Sequence, residues 1–320
     1  MLPRRALLAA PALLLPSLVR AQPAWPTHPL KLVVPFAPAG ATDAVARVMA
    51  QALGDRLGQP VVVENRSGAS GNLGTEVVAR ARPDGLTMLY ATATSAINLT
   101  VFPNLPFNLR RDFTPVVLIA VLPGVVVVPA ASPIRSIADL IAAAKADPGG
   151  LHYGSGGIGS SIHLSSEMFD LMAGTRMTHV PYRGSAPAIL DMYAGRLQLM
   201  FDNLPSSIEH IHAGRLRAIA VTTPQPLPTL PGVPTVAASL PGYEATSWHG
   251  LLLPRGSPAE AVARLNTATN AALADTSVRD KVLAQGALPA GGTPAQMAAH
   301  LEAEIARWAP VVRAAGVTPG

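Results

Sequence analysis

Two short apolar segments of this chain run directly into a loop of small residues and then into a helical pattern, which restricts the fold more than any other feature. The first is residues 32–36 followed by residues 37–43, and the second is residues 151–153 followed by residues 154–161. A loop between a strand and a helix points bare N–H groups, with the positive end of the helix dipole, at one place. Neither loop pairs a nucleophile with a base, so the pattern favours holding a small anion over transforming it.

The rest of the chain alternates short apolar runs with helical periodicity, which predicts an α/β fold with mainly parallel strands. Thr42 is predicted as the N-cap of the first long helix, which Gly58 ends before Pro60. Other helices are predicted where a cap residue precedes an acid or amide by three positions, as in a capping box. These cap residues are Ser136, Ser206, Ser257 and Thr293. Two helices are predicted to fill the C-terminus, over residues 259–274 and 294–315.

The length of the chain indicates two domains, because roughly 300 residues exceed what one hydrophobic core usually organises. Pro123-Gly124 separates two apolar runs, and we interpret it as the first crossing between the domains. The predicted division is a signal peptide over residues 1–21, one lobe over residues 22–123 plus 249–320, and a second lobe over residues 124–248.

The N-terminus is predicted to be an export signal. Arg4 and Arg5 precede a short apolar stretch that ends in the cleavage-like sequence Val19-Arg20-Ala21. The stretch is too short, and too interrupted by proline, to span a bilayer. We therefore expect the mature protein in the periplasm, after Sec or twin-arginine export. The chain has no cysteine, so its stability must come from packing.

The net charge of +5 does not indicate nucleic-acid binding, because part of it lies in the predicted leader and the other arginines are scattered without interleaved aromatics. There is no G-K-[ST] phosphate loop, no G-x-S-x-G nucleophile elbow and no H-E-x-x-H zinc motif. His210 and His212 would project about 200° apart on a helix, which is poor geometry for one metal ion. We predict no metal, no cofactor and no enzymatic activity.

In the first loop, the N–H groups of residues 40–43 can seat a carboxylate at the start of the helix. The alternative is an ordinary strand-to-helix turn with Thr42 as its cap. Asp43 would repel an anion if it pointed into the site. We therefore predict that Asp43 lies in the first helical turn and faces outward, where it suits the helix dipole.

The second loop matches G-x-G-x-x-G as Gly154-Ser-Gly156-Gly157-Ile-Gly159. A dinucleotide site would also require an acidic residue about 20 positions further on, which is missing, although Arg183 offers a contact for a 2′-phosphate. Two other interpretations are a small-anion loop and a plain turn. The small-anion loop would gain hydroxyl donors from Ser155, Ser160 and Ser161.

Asp202 is the one carboxylate placed where α/β proteins bind ligands, because it follows an apolar strand in Phe201-Asp202-Asn203. It can accept a hydrogen bond from a hydroxyl or amine of a ligand. It can equally cap the next turn, and the sequence leaves both roles open.

Six stretches spread along the chain are specific when taken together. They are residues 33–43 (VVPFAPAGATD), 58–65 (GQPVVVEN), 83–85 (PDG), 179–187 (HVPYRGSAP), 201–203 (FDN) and 291–294 (GGTP). With these stretches the chain resembles the Bug-type extracytoplasmic solute receptors of tripartite tricarboxylate transporters. The similarity continues in register from near Trp25 to the C-terminus.

The resemblance implies a periplasmic-binding-protein type II-like α/β fold, in which two lobes joined by crossover hinge strands close on a central ligand cleft. It also implies a small organic carboxylate held between the two loops, largely through backbone amides and ordered water. Carried over by position, the ligand-binding residues are Ala39, Gly40, Ala41, Thr42, Ser155, Gly156, Gly159, Ser160, Ser161 and Asp202.

Two positions depart from the family pattern and bear on which ligand is accepted. Ser95 precedes Ala96-Ile97-Asn98 where members commonly have His, and Ile158 replaces a frequent Asn. The sequence thus predicts a periplasmic receptor, expected to be a monomer, that delivers a carboxylate to the membrane subunits of a transporter. An exported enzyme with Asp202 as base, and a sensing partner of a membrane kinase, remain as alternatives.

Overall fold

Residues 25–38, 41–182 and 184–318 are described by the computed structural model, and within them the chain forms two β-sheets with helices packed on them. The strands are β1 (Leu30–Val34), β2 (Val61–Asn65), β3 (Thr87–Thr92), β4 (Phe113–Leu122), β5 (Gly124–Pro129), β6 (His152–Ser155), β7 (Thr178–Pro181), β8 (Leu199–Asn203), β9 (Leu216–Val221), β10 (Ser247–Pro254) and β11 (Leu288–Pro289). The predicted signal peptide lies outside the described residues.

The helices lie between these strands for most of the chain. They are α1 (Ala41–Leu57), α2 (Asn72–Ala79), α3 (Ala93–Val101), α4 (Leu109–Asp112), α5 (Ile137–Ala146), α6 (Ser161–Ala173), α7 (Ser185–Tyr193), α8 (Leu204–His212), α9 (Ala259–Ala274), α10 (Thr276–Ala284) and α11 (Pro294–Ala314). None of the helices in the described part of the chain has both the length and the apolarity to cross a bilayer.

Each sheet combines parallel and antiparallel strands, so the predicted α/β class is confirmed. The expectation of mainly parallel strands is wrong, because five of the nine strand pairs among the described residues are antiparallel. The first sheet has the order β11-β4-β10-β3-β1-β2, in which β1 pairs in parallel with β2 and β3, while β10 runs antiparallel to β3 and β4. The second has the order β7-β6-β8-β5-β9, in which β6 pairs in parallel with β7 and β8. The parallel strands therefore present their carboxyl ends together at one edge of each sheet.

Local sequence signals set some helix ends as predicted. Gly58 ends α1 with φ 71° and donates its N–H to Gly54 O at 3.0 Å. Ser136 caps α5, and Thr293 forms a capping box with Gln296 at the start of α11. The side chains of Ser136 and Thr293 accept from N–H groups that the first helical turn leaves unpaired.

Three predicted caps are wrong. α1 begins at Ala41, which places Thr42 inside its first turn. α8 begins at Leu204 after Asn203, so Ser206 lies within the helix. α9 begins after Pro258, and the Ser257 hydroxyl donates instead to Pro254 O at 2.8 Å. In the last two cases a proline fixes the backbone at the helix start: Pro205 lies in the first turn of α8, and Pro258 directly precedes α9.

The chain changes sheets at Pro123, which alone separates β4 of the first sheet from β5 of the second, as the sequence predicts. Residues 222–246 return the chain to β10 beside this crossing, and Thr222 N donates to Gly124 O at 2.9 Å. A Cβ on Gly124 would lie 2.2 Å from Thr222 Oγ1, so the two connecting segments can approach this closely only with glycine there.

The predicted lobe boundaries stay a prediction, and α11 bears on them. Its first half packs with the core of the first sheet and its second half with the core of the second. The residues are Met297, Leu301 and Ile305, then Trp308, Val311 and Val312. Between the halves, the buried Glu304 accepts from Trp248 Nε1 at 3.0 Å and from Trp308 Nε1 at 3.1 Å. The predicted change after residue 248 falls inside β10, whose Ser247 pairs with Leu122.

Candidate functional site

Two groups of helix N-termini gather at the carboxyl ends of the parallel strands. In the first sheet α1 follows β1 and α3 follows β3, and in the second α6 follows β6, α7 follows β7 and α8 follows β8. Gly159 of the second loop lies beside the C-terminal end of α3, where an added Cβ would lie 3.5 Å from Val101. The second loop therefore lies against an element that begins at the ligand edge of the first sheet.

The first loop is described only from its two sides, because Ala39 and Gly40 lie outside the described residues. Ala41 and Thr42 form the start of α1, directly after this gap. Their backbone N–H groups are among those that no helical carbonyl can accept in a first turn. The predicted role of these four residues in ligand binding stays a prediction.

Asp43 corrects the sequence prediction that it faces outward. It lies in the first turn of α1, but it is only 3% exposed. Its Oδ2 accepts from Arg47 Nε at 2.8 Å and its Oδ1 from Asn65 Nδ2 at 2.9 Å. Asn65 Nδ2 also donates to Phe36 O at 3.1 Å. Asp43 thus ties the helix to the end of β2 and to the strand side of the first loop.

A left-handed segment that the sequence analysis did not single out supports the same loop. Residues 68–71 all have positive φ, namely Gly68 132°, Ala69 46°, Ser70 55° and Gly71 87°. Asn98 Nδ2 of α3 donates to Ser70 O at 2.8 Å, which helps hold this turn. A Cβ on Gly71 would lie 3.3 Å from Pro35 O. The glycines at both ends were the available signal, since they permit this backbone without strain.

The second loop brings together all five residues predicted from it, between the end of β6 and the start of α6. Ser155 is fully buried, and its Oγ lies 3.1 Å from both Gly157 N and Gly157 O. Ser160 is the N-cap of α6 and accepts from His163 N at 3.3 Å. Gly156 lies between them, beside Gly184 of the loop that precedes α7. These two serines therefore shape the loop from within.

The N-terminus of α6 retains donors that the protein does not use. Among the described residues, no acceptor is found for the backbone N–H groups of Ser161 and Ile162. The N–H of Gly159 is different, because it donates to His163 Nδ1 at 3.1 Å. Two free donors among the described residues thus lie at the first two positions of the helix, where the dipole favours an anion.

Sequence reasoning missed the aromatic side chains beneath this loop. Tyr153, His163 and His179 stack there, and Glu167 accepts from the Tyr153 hydroxyl. His163 and Glu167 are four residues apart on α6, which was a visible signal of contact. The pairing of His163 with His179 depends on the parallel register of β6 and β7, which no local pattern reveals.

Asp202 is almost fully buried at the end of β8, and protein donors surround it. Its Oδ1 accepts from Ser185 Oγ at 2.6 Å and from Asn203 N at 2.8 Å, and its Oδ2 accepts from Ser207 Oγ at 2.6 Å. Burial raises the pKa of Asp202 to about 6, against the opposing effect of these hydrogen bonds. Asp202 thereby joins the starts of α7 and α8, and its direct contact with a ligand stays a prediction.

The structure locates both residues that depart from the family pattern, Ser95 and Ile158. Ser95 is buried in the first turn of α3, where its Oγ accepts from Thr92 N at 3.3 Å. Ile158 is half-buried in the second loop. Arg183, the residue considered for a 2′-phosphate, lies outside the described residues. No cluster of His, Cys, Asp and Glu suited to a metal ion occurs within the described ranges.

Comparison with known proteins identifies the family to which this chain is similar. A family model described as "Tripartite tricarboxylate transporter family receptor" matches residues 45–317. Protein BugT of Bordetella pertussis is 38% identical over 295 residues, covering 91% of this chain and 90% of BugT.

Two solved structures from Rhodopseudomonas palustris share the fold. Rpa4515 with adipate is 44% identical with TM-score 0.85, covering 92% of this chain and 100% of that protein. MatC with bound malate is 31% identical with TM-score 0.81, covering 90% and 100%. These likenesses confirm the predicted two-lobed binding-protein fold.

Proposed function

The chain belongs to the tripartite tricarboxylate transporter receptor family, and from this premise we propose that it is a periplasmic solute-binding protein. It captures a small organic carboxylate and delivers it to the membrane subunits of a transporter of that type. The ligand class is taken from the relatives that hold adipate and malate. The periplasmic location follows from the extracytoplasmic receptors of the family and from the export signal predicted in the sequence.

The observation that carries this proposal is the N-terminus of α6. Its free N–H groups, from Ser161 and Ile162, follow the carboxyl end of the parallel strand β6, after a loop that contacts the C-terminal end of α3 at Val101. A carboxylate placed there receives two backbone donors and the helix dipole from one side. The start of α1 at Ala41 and Thr42 supplies the same kind of donors from the first sheet.

The energetics are sufficient for a receptor. Micromolar binding needs about 8 kcal/mol. Four or five hydrogen bonds to a charged group supply about 1.5–3 kcal/mol each, and each helix terminus adds roughly 0.3–1 kcal/mol. These gains must exceed the cost of ordering the ligand and of closing the lobes. Binding through backbone amides recognises the carboxylate group, so the rest of the ligand is selected by other surfaces of the cleft.

Closure of the two lobes is the proposed signal to the transporter. The crossing at Pro123 and the returning segment 222–246 lie side by side, so bending there can bring the second loop toward α1. A ligand that contacts both lobes shifts the population toward the closed form. A membrane partner can then distinguish a loaded monomer from an empty one. No chemical step is included, and Asp202 positions helices instead of acting as a base.

Thermal unfolding and calorimetry with chosen ligands test the proposal. Adipate or malate at one hundred times its dissociation constant should add about 2.7 kcal/mol of stability. Adipamide, which has the same carbon chain as adipate but no charge, should add none. Recovery of the ligand unchanged would agree with a receptor. Absence of stabilisation by any mono- or dicarboxylate in a broad panel would contradict the proposal.

A further inference from the structure

Three aromatic rings from three elements stack beneath the second loop. His163 of α6 and His179 of β7 have centroids 3.8 Å apart with planes 10° from parallel, and Tyr153 of β6 lies 5.0 Å from His179. His163 is 5% exposed. A charge on both rings of such a buried stacked pair would be unfavourable, because like charges repel and burial removes their hydration.

The hydrogen bonds of His163 determine which of its nitrogens holds the proton. Nδ1 lies 3.1 Å from Gly159 N, and because a backbone N–H can only donate, Nδ1 must be bare. Nε2 then carries the proton and faces Glu167 Oε1 at 3.4 Å. Although burial acts in the opposite direction, hydrogen bonds from His163 and Tyr153 lower the pKa of Glu167, which keeps this acceptor ionised. Glu167 therefore fixes the tautomer of His163.

His179 supports the other end of the loop in the same way. Its Nε2 lies 2.6 Å from Ser155 Oγ, which also accepts from Gly157 N and lies 3.1 Å from Gly157 O. The single hydroxyl proton of Ser155 can go to Gly157 O or to His179 Nε2, so the tautomer of His179 decides which of the two receives it. Burial, with the neighbouring His163, lowers the pKa of His179 to about 4, in agreement with a neutral ring.

We infer that His163, held by Glu167 as its Nε2–H tautomer, is a positioning residue for the carboxylate site. By accepting from Gly159 N–H, it turns that amide away from the cleft and fixes the path by which the loop enters α6. The N–H groups of Ser161 and Ile162 are thereby left as the anion donors at the start of α6. The inference rests on the proposed function, because it assigns a cause to the geometry of the same site.

The test compares two substitutions of His163 with a control on the same helix. Asn places its side-chain oxygen near the position of Nδ1 and can still accept from Gly159, whereas Leu cannot. For whichever of adipate or malate binds the wild-type protein, H163L should raise the dissociation constant roughly tenfold or more, as expected for one lost hydrogen bond that orders the donors. H163N should stay within about threefold.

Ser166→Ala is the matched control for stability. Ser166 is fully buried on α6 and its Oγ donates to Ile162 O at 3.2 Å, so its loss weakens the helix without touching Gly159. S166A should lower the melting temperature but leave the dissociation constant within about twofold. Equal weakening by H163L and S166A at equal melting temperature would show a merely structural role and overturn the inference.

Nitrogen NMR of the wild-type imidazoles gives a second readout that needs no variant to fold. The signals of His163 should show a bare Nδ1 and a protonated Nε2, and a protonated Nδ1 would overturn the inference. If the wild-type protein binds a carboxylate and H163L binds it equally well, this inference fails while the proposed function stands. If the wild-type protein binds no carboxylate at all, both fail.

Discussion

The two loops proposed to hold the carboxylate are supported in different ways. Behind the first loop, Asp43 is paired with Arg47, whose side chain is 54% exposed, so the support is ionic and reaches the solvent. Behind the second loop, imidazole and hydroxyl groups take the place of a carboxylate: His163 and Ser155 hydrogen-bond the backbone, and His179 hydrogen-bonds the Ser155 hydroxyl. An imidazole or hydroxyl support places no negative charge directly against the loop, whereas an acidic one must be neutralised before an anion can bind beside it.

The comparison shows that side chains outside the ligand contact fix the position and direction of the backbone N–H groups. Asp43 and Asn65 connect the first helix to the neighbouring strand, and His163 and Ser160 fix the start of α6. None of these side chains has to touch the ligand. The following substitutions separate the two kinds of support, beginning with the largest expected effect.

Removal of Asp202 should destabilise the second sheet most. In D202A, Ser185, Ser207 and the amide of Asn203 lose a buried acceptor, which we expect to cost about 3 kcal/mol at roughly 1 kcal/mol for each hydrogen bond. D202N keeps one oxygen and the shape, so its cost should stay below about 1 kcal/mol. Urea unfolding measures both, and equal losses would contradict this account of Asp202.

The raised pKa of Asp202 predicts how its contribution to the folding stability changes with pH. Its folded pKa of about 6 lies above the ordinary aspartate value of 3.8, so the folded protein holds this proton more tightly than the unfolded chain. Its contribution is therefore present below the unfolded pKa and is lost as the pH rises through about 6. The stability of the wild-type protein relative to D202N should fall between about pH 4 and about pH 6. A flat difference would contradict the raised pKa.

Removal of Asp43 tests the ionic support of the first loop. D43A removes one of the two acceptors of the Asn65 amide and leaves it with Phe36 O, and we expect a loss of about 1–2 kcal/mol. D43N keeps an oxygen for Asn65 but not the attraction to Arg47, so its loss should be smaller and should shrink further in high salt. Salt titration of the unfolding free energy measures this. If the loss of unfolding free energy in H163N depended on salt as strongly as the loss in D43N, the contrast between an ionic and a non-ionic support would be contradicted.

Ser160→Ala tests the cap of α6 against a serine that was wrongly predicted to be a cap. Ser160 accepts from His163 N, and loss of an N-cap typically costs about 1 kcal/mol. Ser206→Ala is the matched control, because Ser206 lies inside α8 and the change should stay within about 0.5 kcal/mol. S160A should also weaken carboxylate binding, and S206A should not.

The smallest effect is expected at Ser70, beside the first loop. Its φ of 55° is left-handed, and glycine should relieve strain and stabilise the protein by up to about 1 kcal/mol. The same change at Ser239, whose φ is −104°, relieves nothing and should be neutral or destabilising. Thermal unfolding of both variants distinguishes them, and destabilisation by S70G would show that its side chain has a role of its own.

The fold and the second loop could be predicted because they depend on local patterns. The crossing at Pro123, the end of α1 at Gly58 and the gathering of Ser155 to Ser161 all follow from short-range signals. α10 and β11 were missed, since α10 follows α9 after only Asp275 and β11 has two residues. The burial of Asp43 was predicted wrongly because its partner Asn65 comes from another strand.

The side chains that support the two loops could not be predicted from local patterns either, because their partners also come from distant parts of the chain. His163 and His179 meet only because β6 and β7 pair in parallel, and Ser185 meets Asp202 only because α7 begins where β8 ends. Tertiary contacts of this kind have no period in the sequence. Motifs therefore identified where donors gather, and the structure was needed to show what aims them.

A crystal structure of the protein with adipate or malate tests the central claim most directly. One carboxylate of the ligand should lie within hydrogen-bond distance of the Ser161 and Ile162 amides on one side and of the amides at the start of α1 on the other. Gly159 N should remain bonded to His163. A carboxylate bound away from these amides, with both helix starts hydrated, would contradict the account.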